Sequence, residues 1–294
     1  MKIQTFSIVV GGNKCNATCP YCVSKMTGET TCSDKLEEVN FRNFEKACQF
    51  AKMSGVSTVL LTGKGEPLLY LKHITNYLQV MYSYNFPFIE LQTNGIDLPK
   101  ISKQLFKQWY NLGLTTISLS CAHWTGDKNR AVFGKRYNDL KYYIDLIHAQ
   151  EFSVRVSCVM LDDMIDDVAR VKYFAKRCKE WGVEQFTIRP VCNDVTITAE
   201  DRDNNSTKYK IYKWIEKHKL SRDRTEEIEK YFENEATLLL ELVHGAKVYD
   251  YKGQNISINT CLTSSTDPDN TRQLIFSPDG HLRYSWSYRG AILL

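Results

Sequence analysis

The sequence predicts an α/β fold: a parallel sheet covered by helices, followed by a smaller α+β extension. Two observations carry this. From residue 6 to 191, apolar β-branched runs alternate with amphipathic segments, the pattern of strands joined by right-handed helical crossovers. After Pro190 that alternation stops, and polar, charged and hairpin-like stretches replace it. In chain order, strands are expected at 6–10, 58–62, 88–93, 115–120, 154–160 and 185–191. Helices are expected at 41–54, 71–84, 100–112, 137–150 and 163–181, each with apolar residues at helical spacing. Runs such as STVLL and FIELQ read as apolar on both faces, as strands buried under helices would be. The division falls at 191: a body of residues 1–191, and an extension of residues 192–294 capping its mouth. Within the extension, residues 192–208 read as a polar loop and two charged helical stretches run to about His244. Hairpins turn at Gly253 and at Pro278-Asp279-Gly280.

Composition narrows the class. A chain of 294 residues with 43% apolar content can bury a sizeable core. The 38 basic and 34 acidic residues leave +4, too mild an excess to imply nucleic acid by itself. No run of about 18 apolar residues suggests a membrane span, and the first residues do not read as a signal peptide. The expectation is a cytoplasmic protein. Ten cysteines then do not form a disulfide framework. Cys48 falls on the stripe Phe41, Phe44, Ala47, Ala51, and Cys178 on Val171, Phe174, Ala175, Trp181, so both read as small core residues.

Cys15, Cys19 and Cys22 are different. Their spacing would place them on one face of a helix, but Pro20 breaks a helix there and Gly11-Gly12 precede them. A loop with three thiols points to metal. Structural zinc takes four ligands, usually as two separated pairs, and no second CxxC exists in the chain. Soft thiolates also suit an iron–sulfur cluster. A [4Fe–4S] cube held by three thiolates leaves one iron free to bind a small chelate. The missing fourth cysteine is then the functional feature.

With Cys15, Cys19, Pro20, Tyr21 and Cys22, the sequence resembles the radical S-adenosylmethionine (SAM) superfamily. The segment Leu60–Tyr70, LLTGKGEPLLY, extends the likeness. It carries Lys64-Gly65-Glu66-Pro67 where that family has a Gly-Gly-Glu-Pro-like stretch, with Lys64 in place of the first glycine. Gln92 to Gly95, QTNG, follows at the end of the third strand. The likeness runs from about Lys2 to Val191. It implies a partial (β/α)6 TIM-type barrel with ligands at the C-terminal ends of the strands. It also implies a [4Fe–4S] cluster on Cys15, Cys19 and Cys22, and SAM as cofactor. Tyr21 is expected near the adenine, and Gly65 and Glu66 at the methionine amino group. Asn94, Ser118, Ser120 and Ser157 are expected near the ribose, and Arg189 at the methionine carboxylate or in a rim salt bridge. The implied chemistry is reductive cleavage of SAM and removal of a hydrogen atom from an unactivated C–H bond. A flavodoxin or ferredoxin is the expected electron donor.

The substrate is expected to be small and polar: a nucleoside, sugar or amino acid derivative. A peptide is the second expectation. The C-terminal hairpin resembles an auxiliary-cluster region that has lost its flanking cysteines. The layout is similar to the GTP cyclase group of molybdenum-cofactor biosynthesis, but the arginines of that group are replaced near Ile8 and Leu60. Cys261 reads either as a buried hairpin residue or as a hydrogen-atom donor to a substrate radical. The basic, aromatic segment 208–224 reads as a solvated helix face, or as a contact for nucleic acid or an acidic donor. Residues 121–136 read as a long loop at the mouth, with His123, Trp124, Lys128 and Arg130 suited to a polar substrate. A zinc-stabilised nucleic-acid-binding protein and an inert iron–sulfur scaffold are the competing classes, and neither needs GKGEP.

Overall fold

A computed structural model describes residues 2–26, 32–193, 196–242, 245–258, 270–286 and 290–294. Cys261 lies outside the described residues. Six parallel strands form the centre: β1 (Lys2–Val9), β2 (Thr58–Thr62), β3 (Phe88–Thr93), β4 (Thr116–Cys121), β5 (Ser153–Met160) and β6 (Gln185–Pro190). The helices between them are α1 (Phe41–Met53), α2 (Leu71–Tyr82), α3 (Lys103–Asn111), α4 (Gly126–Phe133), α5 (Leu140–His148) and α6 (Val168–Glu180). Side-chain caps fix several helix starts: Asn40 accepts from Asn43 N, Ser102 from Leu105 N, and Asp167 from Arg170 N.

The C-terminal part adds α7 (Ala199–Asp203), α8 (Thr207–His218), α9 (Arg222–Glu235), β7 (Thr237–Glu241), β8 (Lys247–Tyr251), β9 (Gln254–Ile258), β10 (Asn270–Phe276) and β11 (Leu282–Arg283). Its strands join the same sheet, whose order is β11-β10-β1-β2-β3-β4-β5-β6-β9-β8-β7. β9 pairs with β6 and β10 with β1, both in parallel. The hairpins turn where expected: β8–β9 through Gly253 (φ +83°) and β10–β11 through Gly280 (φ +86°).

One face of the sheet carries the core. Phe6 and Phe276 pack on Phe44 of α1, with ring centroids 6.2 and 4.9 Å apart, and Phe186 packs on Phe174 of α6 at 4.7 Å. Cys48 and Cys178 are buried on these helices as their stripes require.

FIELQ is not apolar on both faces, because Glu90 and Gln92 share one of them, whereas in STVLL the half-buried Leu60 stands on that same face, opposite buried Val59 and Leu61. On β5 the fully buried Val154, Val156 and Cys158 alternate with half-buried Ser153, Arg155 and Ser157, so only one face is covered by helices. The opposite face is polar. Three other expectations are corrected. Residues 121–136 contain the helix α4. The polar stretch after Pro190 holds α7, started by a capping box between Thr198 and Asp201. The helical region expected to reach His244 ends at Glu235, and TLLLE forms β7 because antiparallel pairing with β8 outweighs the helix preference of leucine. Among the described residues, no helix is long and apolar enough to cross a membrane.

Candidate active site

The three-cysteine loop follows β1 and is gripped by the loops that follow the next three strands. From the β2 loop, Glu66 N donates to Lys14 O at 2.9 Å. From the β3 loop, Asn94 Nδ2 donates to Asn16 Oδ1 at 2.7 Å and lies 3.9 Å from Cys15 Sγ. Beyond β4, Phe133 O at the end of α4 accepts from Thr18 N at 3.1 Å, and Arg136 donates to Asn16 O at 3.3 Å. The helix that sequence reasoning missed is therefore one of the supports of this loop.

Gly65 explains how the loops come so close. A Cβ there would sit 2.0 Å from Lys14 O and 2.8 Å from Asn13 C, both backbone atoms that cannot step aside. The close approach at Gly65 is thus made by the cysteine loop itself. Glu66 is buried beneath it. Its Oε1 accepts from Leu68 N at 3.0 Å and Thr93 Oγ1 at 2.6 Å, and its Oε2 from Asn94 N at 2.9 Å. The carboxylate clamps the ends of β2 and β3. Burial pushes its carboxyl up to about 7, against these three hydrogen bonds, which favour the anion.

Cys15 is exposed, and Cys19 and Cys22 are half-buried. Burial raises the Cys15 and Cys19 thiols, and Cys19, next to Cys22 and Cys15, reaches about 12. A bound metal would have to displace those protons. The sulfurs are not gathered as one zinc ion gathers them, which would be roughly 4 Å apart at tetrahedral Zn–S distances. Among the described residues, only Asp162, Asp163 and Asp166 bring three such ligand atoms within 4.8 Å of one another. There, Asp162 and Asp166 already pair with Arg224 at 2.6 and 3.1 Å, and Asp166 also with Arg170. Three wider-set thiols on the loop fit a cluster; Cys32, from a separate segment, donates from Sγ to Asn13 Oδ1 at 3.1 Å at the start of the loop.

The polar face of the sheet runs on from this loop. Registered neighbours in a parallel sheet point the same way, so Ser120, Ser157, Thr187 and Ser257 form a row of hydroxyls across β4, β5, β6 and β9. Arg189 lies one rung further along, in register with Val159. It makes no ion pair among the described residues, and its buried Nε finds no hydrogen-bond partner. The expected rim salt bridge is absent from the described residues.

One rung in the other direction, Ser118 is buried and accepts from Arg155 Nε at 3.3 Å. Arg155 also pairs with buried Glu90, to which Gln92 Nε2 donates at 3.0 Å. Ser118 thus belongs to an internal ionic network. Tyr21 is buried against Trp214 of α8, with ring centroids 5.9 Å apart and its hydroxyl without a partner. Ser120 and Ser157 share the row of hydroxyls with buried Thr187, whereas Asn94 holds the cysteine loop. Sequence reasoning missed Thr187, Ser257, Glu90 and Arg155. Period-two alternation of polar residues along each strand was the signal that could have found them.

The radical SAM superfamily pattern matches residues 9–175. The chain belongs to the radical SAM superfamily. The cofactors of that family are SAM and a [4Fe–4S] cluster. An uncharacterised protein of Methanocaldococcus jannaschii is 26% identical over 140 residues, which cover 46% of this chain and 42% of that one. The chain thus spans less than half the length of that relative. Among solved structures, Streptococcus suis SuiB bound to SAM has a TM-score of 0.61 at 14% identity, covering 98% of this chain and 61% of SuiB. The anSMEcpe structure with bound SAM has a TM-score of 0.57 at 15% identity, covering 100% of this chain and 74% of that one. At such identities the likeness is one of fold.

Proposed function

We propose that Cys15, Cys19 and Cys22 ligate the [4Fe–4S] cluster, and that the enzyme removes a hydrogen atom from a small polar substrate, a nucleoside, sugar or amino acid derivative. The observation that carries this is the three-thiol loop, with no fourth cysteine in it, held at the C-terminal ends of β2 to β4 and continuous with a polar sheet face. When bound, the cluster and SAM supply one-electron chemistry and a hydrogen-abstracting radical.

The chain's own residues do the rest. Gly65 and Glu66 keep the loop seated, with the Gly65–Glu66 backbone facing the methionine amino group. Tyr21 backs the loop on the adenine side. Ser120 and Ser157 serve the ribose, and Arg189, with its unsatisfied Nε, takes the methionine carboxylate. Thr187 and Ser257 extend the same row towards the substrate. Residues 1–191 act as the catalytic unit and 192–294 as its extension. A flavodoxin or ferredoxin delivers the electron. A cytoplasmic setting belongs to this reading, supported by nine free cysteines among the described residues.

A peptide substrate is the second reading. SuiB has been solved with the precursor peptide SuiA, and anSMEcpe with the Kp18Cys peptide. Both share this chain's fold over 97% and 99% of its length.

The test uses anaerobically reconstituted protein. Iron and sulfide are counted, dithionite and SAM are added, and 5′-deoxyadenosine is measured by mass spectrometry. About four irons in a site with three cysteine ligands, with deoxyadenosine formed by the wild type and lost in Cys19→Ala, is expected. Zinc without iron would overturn the assignment. Deuterium transfer into deoxyadenosine from labelled nucleosides, sugars and amino acids, against a labelled peptide pool, separates the two substrate readings.

A further inference from the structure

We propose that Lys64, which stands where the motif has its first glycine, is a charge built in to ease reduction of the cluster. This rests on the assignment of the cluster to Cys15, Cys19 and Cys22. Lys64 follows β2, and its side chain turns towards the cysteine loop: Nζ lies 3.4 Å from Ser24 O, in the 3-10 turn Val23–Lys25 that begins directly after Cys22. The ammonium group is within electrostatic reach of the Cys22 and Cys32 thiols, and it is half-withdrawn from water.

Lys25, on the same turn, lies within reach of Cys15 and Cys19. That residue comes with the loop. Lys64 arrives from a separate strand end and is held there by its neighbours. A glycine at 64 would carry no charge, and the room for the cysteine loop is already supplied by Gly65.

A cluster with three thiolates carries net negative charge, and that charge grows when one electron enters from the donor. No bond to the protein forms or breaks in this step. A fixed cation nearby stabilises the reduced form more than the oxidised one, and so raises the potential. A unit charge at about 10 Å, in a medium of effective dielectric about 20, changes the reduction equilibrium by roughly tenfold. For one electron a tenfold change is about 59 mV.

The test is the midpoint potential of the cluster without SAM, by redox titration followed by electron paramagnetic resonance. It is made on anaerobically reconstituted full-length protein and on Lys64→Gln and Lys64→Arg. Glutamine keeps a donor for Ser24 O but loses the charge, whereas arginine keeps both. The expected result is full iron loading in all three proteins, a potential about 59 mV lower in Lys64→Gln, and no change in Lys64→Arg. An unchanged potential in Lys64→Gln would overturn the proposal. So would loss of iron from Lys64→Gln with retention in Lys64→Arg, because the charge would then serve to hold the cluster and not to set its potential. Failure of the cluster assignment itself shows separately, as absence of iron from the wild-type protein.

Discussion

Glu66 gives the sharpest test of the site's physics, because two opposing effects act on one carboxyl group. Burial favours the neutral acid, while Leu68 N, Thr93 Oγ1 and Asn94 N favour the anion. Burial is the larger effect, which leaves the folded-state value at about 7, against roughly 4.3 in the unfolded chain. Between those values the folded state holds a proton that the unfolded state has released. Stability from this group is therefore complete below about pH 4.3 and falls as pH rises through 7, by about 1.4 kcal/mol per pH unit. Glu66→Gln removes the titration. It also leaves one of the buried donors facing an amide N–H, at a pH-independent cost of about 1–3 kcal/mol. The assay is urea unfolding of metal-free wild-type protein and Glu66→Gln under reducing, anaerobic conditions, from pH 5 to 8. The wild type should start more stable than the variant, and the gap should shrink by about 2–3 kcal/mol across that range. A gap that stays flat or widens with pH would refute the reasoning. It would mean that the three hydrogen bonds outweigh burial and that Glu66 is an anion throughout.

Two further outcomes follow from the geometry. Gly65→Ala should abolish iron loading while leaving the helical content of the protein intact, because its Cβ collides with the backbone at Lys14; iron analysis and far-ultraviolet circular dichroism check this, and full loading would count against the packed-loop account. Glu90→Gln should lower stability by about 3 kcal/mol by leaving Arg155 partly buried without its counter-charge. The double change Glu90→Leu with Arg155→Leu should cost much less than the single change; equal losses in denaturant titrations would show that packing, not charge, sets the value of this pair.

The legible parts of this protein are those written in short-range patterns. The central strands lie within a few residues of their expected bounds, because β-branched runs and helix caps are local signals. The thiol trio is legible because Pro20 rules out the helix that the spacing would otherwise allow. What the sequence hid depends on pairing between distant segments. FIELQ reads as a buried strand, yet Glu90 and Gln92 fall on the polar face and belong to a network completed by Ser118 and Arg155 from two other strands. TLLLE reads as helix until β8 is there to pair with it. The same distinction separates the two roles within GKGEP. That Gly65 must be small is a local property, but that the space is filled by Lys14 rather than by a ligand appears only when β1 and β2 lie side by side. The motif at the end of β2 thus acts first on the protein's own cysteine loop. A change there should be felt in cluster loading before it is felt in SAM binding, which places the motif's structural duty ahead of its duty to the cofactor.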